Sequence, residues 1–259
     1  MGDYIFVEHQ TERELTRLRQ IEAALDTHSQ GLISRTGLAE GWHCLEVGAG
    51  AGSILRWLGE SVGPTGHAVG IDKNAAHLKP LQAAPFEVIE ADVRDLHCPT
   101  GFDLIHARYV LIHNRDADAI IVHLKGLLRP GGYLVLEEPD FESAEWLDEA
   151  YRSAGQRVNR AICAMFAALS LDPGFGKRLP MRLSRQGLPV THIDARAHLE
   201  PGAGPVALVM SESAAALRDK YLATGEATRG DIERYNHGTR DPTSWAIYYS
   251  TVGIIARKT

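Results

Sequence analysis

Apolar positions along the chain change period several times, and each change marks an element. Leu15, Leu18, Ile21 and Leu25 recur at helical spacing, with Glu12, Arg13, Glu14, Arg17 and Arg19 on the other faces. That spacing predicts an amphipathic helix. A short apolar-aromatic segment, Tyr4-Ile5-Phe6-Val7, precedes it. Short apolar runs then alternate with helical patterns and Gly/Pro turns. Residues 43–47 read as a first strand, 53–60 as its helix, and Gly63-Pro64-Thr65-Gly66 as the turn that follows. Residues 67–71, ending at Asp72, read as a second strand. Residues 74–81 start a helix that breaks near Pro80. The third strand is 86–90, running into Ala91-Asp92. The fourth is 102–105, ending at His106. A helix over 120–128 stops at Arg129-Pro130-Gly131-Gly132. The fifth strand, 133–136, runs into Glu137-Glu138-Pro139-Asp140.

From 141 the pattern becomes helical. Ala154, Val158, Ala161, Ile162, Met165, Phe166 and Leu169 form an apolar stripe over 144–170. A further helix spans 175–186, although Pro180 lies inside it. Residues 190–199 read as a strand, helical stretches run to about Tyr235, and 245–257 close the chain as a β-branched, aromatic strand. Strands alternating with helices predict an α/β fold with a mostly parallel sheet and helices on both faces. Ligands of such sheets collect at the carboxyl ends of the strands, where strand order reverses. The acids named above lie at those ends. The chain divides into an N-terminal helical lid (1–40), a sheet core (41–140), a helical insert (141–188) and a C-terminal completion of the sheet (189–259).

Composition narrows the partners. The 259 residues are 44% apolar and 23% charged, with a formal charge of −6 and no basic stripe, which argues against nucleic acid. Cys44, Cys98 and Cys163 are odd in number and far apart, so neither a disulfide framework nor a zinc ribbon is expected. No apolar run reaches membrane-spanning length, and no signal-peptide pattern stands at the start. The expected setting is a reduced cytoplasm without a membrane or a metal.

Residues 44–54, Cys-Leu-Glu-Val-Gly-Ala-Gly-Ala-Gly-Ser-Ile, carry the strongest chemical signal. A buried strand meets a glycine-rich turn and then a helix N-terminus, whose amides face whatever rests on the loop. A dinucleotide fingerprint needs its third glycine at 53, where Ser53 stands. No Gly-Lys-Ser/Thr follows, so a phosphate loop fails too. Glu46, two residues before Gly48, would repel a pyrophosphate and suits an ammonium-bearing ligand.

Together these motifs resemble class I S-adenosylmethionine-dependent methyltransferases. Residues 45–52 match that family's first motif and Ile71-Asp72 its second-strand acid. Residues 90–93 match the third-strand motif, 102–106 the fourth strand, and 127–132 the turn before the fifth. The resemblance implies a Rossmann-like seven-stranded sheet with a C-terminal antiparallel hairpin, formed by 190–199 and 245–257. It implies S-adenosylmethionine as cofactor, on Gly48, Gly50 and Gly52. Glu46 holds the loop or the ammonium, Asp72 the ribose hydroxyls and Asp92 the adenine amine. The Val93 amide meets the adenine ring, Lys73 and Ala91 flank the adenosine, and the His106 carbonyl faces the ammonium. Each acid also has a plainer reading: Asp72 as a helix cap, Asp92 as a turn residue.

Methyl transfer needs a base only if the acceptor must shed a proton. His106, His113, Glu138 and Tyr4 are the candidates for handling the acceptor, with Asp140 beside Glu138. A helix cap, a surface histidine or a packed aromatic are the alternatives. The resemblance extends, less specifically, to bacterial enzymes acting on secondary metabolites. It implies a small hydrophobic or aromatic acceptor at carbon, nitrogen or oxygen, and a possible homo-oligomer. A protein that binds the cofactor without transferring methyl, as a sensor or a cyclisation catalyst, would carry the same motifs.

Overall fold

The strands and helices alternate as the periodicity predicts in a computed structural model that describes residues 12–81, 83–99 and 101–259. In chain order the elements are α1 (Glu12–Ser34), β1 (His43–Val47), α2 (Ser53–Val62), β2 (His67–Asp72), β3 (Phe86–Glu90), β4 (Phe102–Arg108), α3 (Ala117–Leu127) and β5 (Leu128–Asp140). Then come β6 (Glu145–Trp146), α4 (Glu149–Ala168), α5 (Phe175–Arg185), β7 (Val190–Pro201), α6 (Pro205–Ala216), α7 (Arg218–Ala223), α8 (Arg229–Gly238) and β8 (Trp245–Arg257). Tyr4 lies outside the described residues.

The sheet runs β3-β2-β1-β4-β5-β8-β6, with β7 pairing β8. The five strands from β3 to β5 are parallel, and β8 and β7 close the sheet antiparallel. The expected seven strands are present, and the two-residue β6 makes an eighth. Strand order reverses between β1 and β4, which opens a crevice at their carboxyl ends.

Helices cover both faces, so central strands bury both sides and read as continuous apolar runs. Leu45, Leu104, Ile105, Leu134 and Leu136 are fully buried, and each contributes about 1.5–3 kcal/mol. One face packs α1 and α2 over Cys44, Leu104, Val135 and Ile255; the other packs α3, α4, α5 and α6.

Three local expectations change, and one expected helix forms in spite of its proline. The helix expected over 74–81 shrinks to a 3-10 turn, Lys79–Leu81, because Pro80 has no N–H to continue it. β4 continues through His106 to Arg108, so His106 is an interior strand residue and not a strand end. β5 begins at Leu128, taking in the Arg-Pro-Gly-Gly turn. α5 keeps Pro180 because Phe175, Leu179 and Leu183, one turn apart, are all buried.

Candidate functional site

The crevice is built around the glycine loop. Gly48 has φ 67°, and a Cβ there would lie 2.5 Å from Val110 Cγ2. Only glycine permits both the left-handed turn and this contact with the segment leaving β4. Gly52, φ 93°, opens α2 without a side-chain cap of its own. Instead Glu22 of α1 accepts the Ser53 N–H at 3.0 Å, meeting one of the helix's orphan donors. Asp72 accepts the Gly50 N–H at 3.0 Å and the Asn74 N–H at 2.9 Å. Burial raises its pKa, opposed by those amides.

Glu46, Gly48, Gly50, Asp72, Lys73, Ala91, Asp92 and Val93 all line one cavity of about 770 Å³. Asp92 is committed in two directions. Its Oδ1 caps the Val93–Asp95 turn at Arg94 N, 3.0 Å, and its Oδ2 meets Arg94 Nη2 at 2.6 Å and Lys73 Nζ at 3.0 Å. The Arg94 fork holds the carboxyl well below the usual carboxylate range. The plain turn role is thus realised beside the place expected for adenine.

His106 is not in the cavity wall. Its ring is fully buried between two carboxylates, Nδ1 2.6 Å from Glu46 Oε2 and Nε2 2.9 Å from Glu137 Oε1. Burial disfavours its charge, but Glu46 and Glu137 outweigh this and push the pKa up to about 9. Arg108 continues the network, 3.0 Å from Asp26 and donating to Ser29 Oγ at 2.8 Å. The expected role of His106 as a base does not fit a ring held between two carboxylates, and its backbone lies two residues short of the strand end at Arg108. Arg108 and Tyr109 stand at the cavity instead.

Glu138 and Asp140 also serve the fold, and neither lines the cavity. Buried Glu138 accepts amides from Val110 at 3.2 Å, Leu111 at 2.7 Å and Ile112 at 3.1 Å. Burial pushes its carboxyl up to about 8, against the pull of those donors. Asp140 caps the turn at Glu142 and faces Lys177 at 3.4 Å.

His113, in contrast, does line the cavity, stacked on Phe166 at 6.2 Å. Burial, then Arg17, lowers its pKa to about 3, so its imidazole stays neutral. Around it the rings run on in contact: Phe166 to Phe141 at 5.4 Å, Phe141 to Tyr249 at 5.4 Å and Tyr249 to Tyr109 at 6.1 Å. Ile162, Val209, Met210 and Leu217 complete an apolar half-cavity joined to the glycine crevice. The Tyr109 phenol donates to Tyr249 Oη at 3.2 Å and meets Thr251 Oγ1, which in turn lies 2.6 Å from His198 Nε2. Tyr109 has φ 57°, an uncommon left-handed turn for a bulky residue. Sequence reasoning missed Tyr109 and Tyr249; their placement after one strand and inside another was the only available signal.

α1 roofs both halves. Leu15, Leu18, Ile21 and Glu22 line the cavity, and Leu18 lies 3.5 Å from where a Gly50 Cβ would be. Among the described residues no cluster is arranged to hold a metal, and no helix is long and apolar enough to cross a membrane.

Comparison with known proteins agrees with this geometry. A family model described as a methyltransferase domain matches residues 7–173. The methyltransferase str2 of Strobilurus tenacellus is 30% identical over 145 residues, 52% of this chain and 49% of that protein. The chain spans about half the length of the curated relatives it matches. Among solved structures, a Haemonchus contortus phosphoethanolamine N-methyltransferase 2 in complex with S-adenosyl-L-methionine superposes at TM-score 0.61, with 14% identity, over 100% of this chain and 60% of that one. The [4+2]-cyclase SpnF superposes at TM-score 0.58, with 18% identity, over 90% and 80%. Glycine loop, strand order and domain match together place the chain in the class I S-adenosylmethionine-dependent methyltransferase family.

Proposed function

We propose that the protein transfers the methyl group of S-adenosylmethionine to a small, flat, largely apolar acceptor. One observation carries this reading: the glycine crevice opens directly into a pocket walled by touching aromatic rings. Such a wall suits an aromatic or conjugated molecule. The N-terminal segment 1–40, through α1, and the insert 141–188, through Phe141, Ile162 and Phe166, roof this pocket.

The chain fits the cofactor where it must approach closest. The loop at Gly48 is too tight for a Cβ, and Asp72 ends β2 with its carboxylate in the cavity wall. When bound, S-adenosylmethionine supplies a methyl group already activated by its sulfonium. The protein's work is then to hold the acceptor in line and to exclude water. Tyr109 and Tyr249 line the pocket with their hydroxyls hydrogen-bonded to each other. Burial first, then Tyr249, raises the Tyr109 pKa, so this phenol acts as a donor. His113 is the neutral imidazole in the same wall and the candidate for meeting the acceptor, and Tyr4 keeps its place as a candidate lid residue.

The test uses S-adenosylmethionine labelled in its methyl group, with a panel of small phenols, aromatic amines and conjugated ketones. Label extracted into organic solvent supports the proposal. Label found instead in added protein or RNA refutes it. Tight cofactor binding without transfer to any member favours the alternative of a binder that does not methylate.

A further inference from the structure

Among the described residues the long strand β7 forms one edge of the sheet, pairing with β8 and with no other strand. Sequences usually guard such an edge with lysine, proline or a charge on the inward face. Between Pro189 and Pro201 this strand has neither lysine nor proline, and its guards are the charges of Asp194, Arg196 and Glu200 and a register irregularity near each end. Its pairing with β8 is regular from His192 to Ala197, with irregularities beyond each end. Along this stretch Ile193, Ala195, Arg196 and Ala197 are exposed, Ile193 by 51%.

We propose that β7 pairs antiparallel with β7 of a second copy of this chain, centred on Ala195, so that the sheet continues across a two-fold axis.

The register follows from symmetry and charge. A two-fold axis normal to the sheet leaves each face on its own side, and residues opposite each other share a face. An axis at Asp194 would set that acid against its own copy, and an axis at Arg196 would do the same with two guanidinium groups. Like charges directly opposite are unfavourable. An axis at Ala195 sets Asp194 against Arg196 of the second copy, and Arg196 against Asp194 of the second copy. On the other face it sets Ile193 against Ala197 of the second copy, covering apolar surface now in water. Pro189 and Pro201 are equally far from Ala195. The stretch able to donate every backbone N–H is therefore symmetric about the same residue. Asp194 lies 3.5 Å from His28 Nε2, a contact weak enough to leave its carboxylate available.

The experiment is sedimentation equilibrium of the full chain, alongside thermal melting to check the fold. Wild type is expected as a dimer at about 50 µM, and Arg196→Glu to raise the dimer dissociation constant about tenfold or more. The exchange Asp194→Arg with Arg196→Glu restores opposite charges, and with them the wild-type constant within about threefold. Ile193→Lys, at an exposed position, should weaken the dimer while leaving the melting temperature unchanged at dilutions where both proteins are monomeric. A wild type still monomeric at about 100 µM overturns the proposal. So does a dimer whose dissociation constant is indifferent to both Arg196→Glu and Ile193→Lys. A dimer weakened by Arg196→Glu and not recovered by the exchange overturns the register. None of these readouts depends on cofactor or acceptor, so the catalytic reading stands or falls separately.

Discussion

Replacing His106 by leucine removes the cation between Glu46 and Glu137 and keeps most of the volume. Both carboxylates stay buried, at 4% and 0% exposure, with their shared donor gone. The imidazole pKa rises from 6.5 to about 9, and that shift corresponds to about 3 kcal/mol of stabilisation. Breaking a buried pair from one side independently costs about 3–5 kcal/mol, so the two routes agree. The sign follows from the raised pKa. The contribution is complete below the unfolded value near 6.5 and is lost as pH rises through about 9. Urea unfolding of wild type and His106→Leu at pH 6.5 should therefore differ by about 3 kcal/mol or more, and the gap should narrow toward pH 10. Comparing the two proteins at each pH cancels the titration of tyrosines and lysines elsewhere. A gap below about 1 kcal/mol at pH 6.5, or one constant to pH 10, would show that the ring is not held as an imidazolium.

Three further outcomes are expected. Asp72→Ala should weaken S-adenosylhomocysteine binding by about tenfold to a hundredfold, since hydrogen bonds to a charged group contribute about 1.5–3 kcal/mol; calorimetry that finds equal affinity removes Asp72 from the ligand. Glu138→Leu leaves the amides of residues 110–112 without their acceptor and should lower stability by about 3 kcal/mol, read as a fall in the urea midpoint; an unchanged midpoint would mean that these amides find water. His113 should show no carbon-13 titration between pH 5 and 8, because burial holds its pKa near 3. Its folded pKa is depressed, so its neutral form favours the native state at neutral pH, and that benefit is lost as pH falls below 6.5; a midpoint near 6 would place the ring in solvent.

Elements with strong periodicity were legible in the sequence. Each parallel strand is an apolar run with a turn at its end, and the glycine spacing separates this crevice from a dinucleotide site. Residue roles within a strand were less so. Ile105 and His106 are neighbours, yet one packs in hydrocarbon and the other lies between acids on β1 and β5. That distinction depends on register with strands distant in sequence. The stripe Leu15, Leu18, Ile21 was correctly helical, but an amphipathic face looks the same whether it meets core or ligand. Glu138 sat where a reacting acid was expected, and only the turn at 110–112 revealed its amide partners. The left-handed backbone at Tyr109 left no trace in residue type.

The clasp between Glu22 and the first amide of α2 has a kinetic consequence. α1 packs on α2 and α6 while its side chains form the ceiling of the crevice. Lifting the helix would break the Glu22 bond and wet Leu18 and Ile21. A ligand held beneath it should therefore slow tryptic cleavage beside Arg17 and Arg19.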